Sequence, residues 1–194
     1  MKKLVAVGFA SMLMAVIGGV VNSAEKEEKK VPAVLNFKMK KLDGKEVNLA
    51  DYQGKVVLFV NVASQCGLTP QYEGLEELHE KYAEKGLAII GVPANEFANQ
   101  EPGTDAEIAT FCKKNYGVKF DMMSKQVVKG KGICPLYKHL TSEESDPKFA
   151  GDISWNFEKF LVSRDGEIVA RFKPKVEPTA DEVVEAIEAE LAKK

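Results

Sequence analysis

The spacing of apolar residues changes several times along this chain, and each change marks an element. "KVVLFVNVA" holds a nearly continuous apolar run from Val56 to Ala63, the pattern of a central strand buried on both faces of a sheet. Leu75, Leu78 and Tyr82 then recur at helical spacing, with Thr69 as the N-cap, Pro70 in the first turn, Glu73 and Glu76 near the positive helix start and Gly86 as terminator. "LAIIGVPA", from Leu87, is a second buried strand. A strand, helix, strand order predicts two parallel strands joined by a right-handed crossover.

Further elements follow the same logic. "VLNFKMKKLDGKEVNLADYQGK" predicts a hairpin around Asp43-Gly44. Thr104 caps a helix through "TDAEIATFCKKNYG", with Ile108, Phe111 and Cys112 on or near one face and Gly117 at its end. "VKFDMMSKQVV" reads as extended and "CPLYKHLTS" as a short helix. "FEKFLVSRDGEIVARFK" is a second hairpin, and "EPTADEVVEAIEAELAKK" an amphipathic helix with Val183, Val184, Ile187 and Leu191 inward. The fold class is α/β, a central mixed sheet flanked by helices with an N-terminal β-hairpin.

The first residues break from this pattern. Lys2 and Lys3 precede a mostly apolar stretch from Leu4 to Val21, and small residues follow at Ser23 and Ala24. This layout predicts a secretory signal peptide over 1–24, cleaved after Ser23 or Ala24, with a retained membrane anchor as its rival. "EKEEKK" begins a charged tether over 25–31, and one folded domain spans 32–194. The expected location is periplasmic or extracellular, with no stable membrane association after cleavage. Loss of Lys2 and Lys3 leaves a net charge of about −4, which argues against nucleic acid as a partner.

Export gives weight to the three cysteines, Cys66, Cys112 and Cys134. An odd count in an oxidising compartment leaves a free thiol or a bridge that forms and breaks. Their spacing suits no zinc site, and His79 and His139 stand apart from them, so neither metal nor cofactor is expected. Cys66 falls between a buried strand and a helix start, where ligands bind in open α/β sheets and where amide N–H groups favour a thiolate. Position alone leaves a nucleophile and a small buried hydrophobe equally open. Thr69 stands where a thioredoxin-type reductase needs its second cysteine, which disfavours disulfide exchange.

Four blocks in order, "VNVASQCGLTPQY", "PANEFANQEPGT", "FCKKNYGVKFDMM" and "ISWNFEKFLVSRDGEIVARF", resemble the glutathione peroxidase family. The resemblance runs from about Val34 to Leu191 and implies a thioredoxin-like fold. It makes Cys66 the peroxidatic residue and Gln100, Trp155 and Asn156 its catalytic partners. Amide and indole N–H donors can hold a thiolate and then the charge that develops on oxygen as an O–O bond breaks. Asn95 matches the family and supports the site. Three positions depart from it: Ala94 where many relatives have cysteine, Glu96 for a glutamine, and Ala98 for a glycine. Glu96 is expected to bring negative charge near the thiolate.

The resemblance also implies a resolving cysteine at Cys112, joined to Cys66 after the resolving helix unwinds and then reduced by a thioredoxin-like protein. The resemblance assigns no role to Cys134, which reads as a buried thiol with an alternative resolver as the lesser reading. The short segment from Leu140 to Ser154 lacks room for the assembly loop of tetrameric relatives, so a monomer is expected. A thiol peroxidase acting on hydrogen peroxide and organic hydroperoxides is the implied function. A glutathione-dependent peroxidase and a peroxide-sensing relay with little turnover are the alternatives.

Overall fold

The central strand β3, Val56–Val62, is buried at every position, as its apolar run requires. In the computed structural model, which describes Met1 and residues 30–193, β3 lies in the middle of a five-stranded sheet of order β5-β4-β3-β6-β7. It pairs in parallel with β4, Leu87–Pro93, and antiparallel with β6, Lys159–Val162. The edges are β5, Asp121–Met122, parallel to β4, and β7, Ile168–Phe172, antiparallel to β6. The sheet is therefore mixed. The expected signal peptide and most of the tether lie outside the described residues. Val31 to Lys194 forms one compact unit, and among the described residues no helix is long and apolar enough to cross a membrane.

The alternation of β3 side chains builds two cores. Val56, Leu58, Val60 and Val62 face α1, Gln71–Tyr82, α2, Asp105–Tyr116, and α4, Asp181–Ala192, in a cluster with Leu75, Ile108 and Ile187. Val57 and Phe59 face the other way, onto the N-terminal segment and α3, Pro135–Leu140, with Leu35, Leu49 and Tyr137. The predicted hairpin forms as β1, Lys38–Lys40, and β2, Glu46–Asn48. It is a small separate sheet, tied to the main body by a Lys41–Met123 bridge.

Local signals act as read from the sequence in most places. Thr104 caps α2 in a reciprocal capping box with Glu107. The chain leaves α1 through a short 3-10 turn that closes at Gly86, whose φ of 104° only glycine adopts without strain. In α4, Val183 and Ile187 are fully buried, but Val184 and Leu191 are only partly so, and Glu190 takes a buried position instead.

Candidate active site

Past β3 the chain enters a turn held by one hydroxyl. Thr69 Oγ1 donates to the Ala63 carbonyl at 2.9 Å and accepts the Cys66 N–H at 3.0 Å, while the Thr69 N–H donates to the Cys66 carbonyl. This corrects the expected N-cap. Because its hydroxyl is engaged inside the turn, Thr69 caps nothing; the residue before α1 is Pro70, in helical conformation and without a side-chain cap bond. Cys66 thus stands five residues ahead of α1, and its sulfur receives a turn amide, the Leu68 N–H at 3.3 Å. A donor aimed at sulfur stabilises negative charge there. Cys66 is 9% exposed.

A second loop closes on this turn. The Gln65 N–H donates to the Gln100 carbonyl at 2.9 Å, and Ser64 Oγ donates to the buried carboxylate of Glu101 at 3.1 Å. Burial pushes the Glu101 carboxyl upward, partly offset by the Ser64 bonds. Asn95 ties this loop together: Oδ1 accepts the Glu101 N–H at 2.8 Å and Nδ2 reaches Asn99 at 3.4 Å. Ala98 and Asn99 are left-handed, with φ of 54° and 55°, so the glycine missing at Ala98 is a position where glycine would relieve strain. Glu96 does not act as expected. Its carboxylate accepts the Val128 N–H at 3.0 Å, and its charge is felt by Cys134.

The third segment carries Trp155 and Asn156. Asn156 is fully buried and donates from Nδ2 to Gln100 Oε1 at 2.9 Å, while its own Oδ1 has no donor among the described residues. Among the described residues the Gln100 Nε2 group makes no hydrogen bond. Trp155 is 37% exposed; its ring tilts against Phe97 at 5.7 Å and shares an apolar cavity of about 400 Å³ with Leu68. Cys66, Gln100, Trp155 and Asn156 are therefore carried by three loops that interlock.

What holds this third segment escaped the sequence reading. Asn61 sits in β3 at 0% exposure. Its Nδ2 donates to the Trp155 carbonyl at 3.0 Å, its carbonyl accepts the Phe157 N–H at 2.6 Å and its Oδ1 accepts the Glu158 N–H at 3.1 Å. Phe157 between them is fully buried with φ of 65°. One signal was available: an asparagine inside a strand buried on both faces must find partners there. Glu158, also fully buried, accepts the Ser154 N–H and hydroxyl at 2.7 and 2.6 Å and Arg171 Nε at 2.7 Å. Burial alone would push its carboxyl up, but the Ser154 bonds and the Arg171 charge together hold it below the usual range.

Cys112 lies in α2, 2% exposed, in the same core cluster as Cys66, whereas Cys134 belongs to the cluster across the sheet. All three cysteines are free thiols. Burial pushes the Cys112 thiol up to about 11, offset in small part by the Tyr72 hydroxyl. A cleft of about 460 Å³ separates the Ser64-Gln65 turn from Ile108 and Phe111 of α2. Among the described residues no group of three His, Cys, Asp or Glu could hold a metal ion.

Comparisons with known proteins bear on the family and the fold. Residues 34–141 match the family described as glutathione peroxidase. A glutathione peroxidase of Lactococcus lactis subsp. cremoris is 51% identical over 143 residues, 74% of this chain and 90% of that protein. The thioredoxin/glutathione peroxidase BtuE of Escherichia coli is 43% identical, covering 83% of this chain and 98% of that protein. Among solved structures, the apo form of Trgpx superposes with a TM-score of 0.64 at 32% identity over 82% of this chain and 95% of that one. A thioredoxin family protein of Chlorobium tepidum reaches 0.58 at 15% identity, over 84% of this chain and 98% of that one, which speaks for the thioredoxin-like fold alone. The chain belongs to the glutathione peroxidase family.

Proposed function

We propose that Cys66 is the peroxidatic nucleophile of a thiol peroxidase that reduces hydrogen peroxide and organic hydroperoxides. The observation that supports this reading is the interlocking of three loops: the Gln65 N–H beside Cys66 bonds the Gln100 carbonyl, Gln100 bonds Asn156, and Trp155 shares a cavity with Leu68. The Cys66 thiolate attacks one peroxide oxygen, an S–O bond forms as the O–O bond breaks, and the departing oxygen takes up a proton to leave as water or alcohol. Gln100 Nε2 and the indole N–H donate to the developing oxyanion.

The product, a Cys66 sulfenic acid, is then attacked by Cys112; water leaves and a Cys66–Cys112 disulfide forms. Their shared core cluster supports Cys112 over Cys134 as the partner. Burial raises the Cys112 thiol, so the proposed disulfide requires α2 to open and expose it. A thioredoxin-like dithiol then reduces the bridge by exchange; the relative named thioredoxin/glutathione peroxidase supports that choice and keeps glutathione as the second reductant to test. We further propose a monomeric protein, exported by the 1–24 signal peptide.

The test is steady-state peroxide consumption by the mature protein with a thioredoxin system or with glutathione. Cys66→Ser removes turnover with either reductant, and Cys112→Ser removes only the thioredoxin-driven part. Full turnover in Cys66→Ser would defeat the nucleophile assignment; thioredoxin-driven turnover in Cys112→Ser would defeat the resolving one.

A further inference from the structure

Lys159 opens β6 at 0% exposure, and among the described residues it has no ion-pair partner. Its ammonium group instead donates to three oxygens at 2.7 Å, Gln71 Oε1 and the carbonyls of Phe157 and Val176, with the Pro174 carbonyl at 3.5 Å. Gln71 Nε2 donates to that same Pro174 carbonyl at 2.8 Å. Three segments meet at this one nitrogen. Gln71 begins α1 five residues after Cys66, Phe157 follows Asn156, and Pro174 lines the cavity shared by Leu68 and Trp155.

Fit alone does not call for a charge here. An ammonium removed from water among neutral acceptors carries a large desolvation cost, which an apolar side chain would avoid. What an ammonium provides is three donors for three close acceptors, and a neutral amine has only two. The set is matched in the protonated state alone.

We propose that Lys159 is a positioning residue for the peroxidatic site: its ammonium locks the Asn156-Phe157 turn, the start of α1 and the Pro174-Val176 loop into the arrangement that surrounds Cys66. This rests on the reading of Cys66 as nucleophile. Burial pulls the lysine down to about 8, against the opposing charges of Glu177 and Glu158, the charged groups that act on it. Below that value the lock is closed; above it one acceptor loses its donor and the turn relaxes.

Trp155, the sole tryptophan, is two residues from Phe157 and reports the state of the turn. In a Cys66→Ser background, which removes the nucleophile, Trp155 emission is expected to shift with a midpoint near 8. Cys112, at about 11, and Cys134, raised from 9.0, both by burial, titrate above that window. Lys159→Met abolishes the transition, and Lys159→Arg, charged throughout, holds the low-pH emission. In the presence of Cys66, Lys159→Met slows reaction with hydrogen peroxide about tenfold at about pH 6.5, and the deficit shrinks at about pH 9.5 where wild type has lost its own lock.

A flat Trp155 titration, a transition that persists in Lys159→Arg, or a rate deficit equal at both pH values would overturn the proposal. If Lys159→Met does not fold, the titrations of the Cys66→Ser protein with and without Lys159→Arg decide it. A wild type inert to peroxide that keeps the fluorescence transition would sink the nucleophile reading and leave the lock standing.

Discussion

Replacing Glu158 by glutamine tests how the Trp155-Asn156 turn is held, because one carboxylate oxygen pair carries four donors. Oε2 accepts both the Ser154 N–H and hydroxyl, and Oε1 accepts Arg171 Nε at 2.7 Å and Lys173 Nζ at 3.2 Å, with the Glu158 side chain at 0% exposure. In Glu158→Gln an NH₂ group faces the Ser154 N–H, leaving a buried donor opposed by a donor, at a cost of about 1–3 kcal/mol. Breaking a buried pair by removing one charge costs about 3–5 kcal/mol. Arg171 keeps the carbonyls of Phe149, Ala150, Gly151 and Asp152, so the total falls at the low end, about 3 kcal/mol. For a domain of this size that lowers Tm by about 6–12 °C.

Thermal and urea unfolding, followed by circular dichroism, measure the difference. Its pH dependence supplies the sharper check. A carboxyl held below its unfolded value contributes stability that is fully present above that value, about 4.3, and is lost as pH falls through the folded one. The gap between wild type and Glu158→Gln is therefore constant near neutrality and closes in acid. A loss under about 1 kcal/mol, or a gap that does not change on acidification, would refute the account of Glu158 as a charged anchor.

Two more substitutions probe the other anchors. Ala98→Gly relieves the left-handed backbone at φ 54° at some gain in unfolded-chain entropy, for a net stabilisation of about 0.5–1 kcal/mol; a lower Tm would contradict the strain argument. Asn61→Ala strips the Trp155 carbonyl and the Glu158 N–H of their partners, which costs about 2–4 kcal/mol and slows the first reaction with peroxide. A stable variant with an unchanged rate would show that the turn holds without Asn61.

The parts of the fold visible in the sequence are those set by neighbours. The apolar run of β3, the turn at Asp43-Gly44 and the Thr104 cap depend on a few adjacent residues, and each forms as read. Thr69 misled because its local context suits a cap, while its hydroxyl finds better partners in the Ala63 carbonyl and the Cys66 amide. Glu96 misled in the same way, through a contact with Val128 that lies far along the chain. Asn61, Glu158 and Lys159 were hidden for a related reason: Asn61 and Lys159 meet partners 88 to 97 positions away, and Glu158 meets Arg171 across a strand pair. Polar residues inside apolar strands signal that such partners exist without naming them. The candidate site residues come from motif resemblance, and the structure adds what binds their loops together.

The central claim is that peroxide oxidises Cys66, and intact-mass measurement on the Cys112→Ser protein addresses it without any reductant system. One equivalent of hydrogen peroxide added to the reduced variant should raise its mass by about 16 Da, the sulfenic acid, with the added oxygen mapped to Cys66. Cys66→Ser under the same conditions should show no rapid change. Oxygen appearing first on Cys134, or an equally fast gain in Cys66→Ser, would contradict the account.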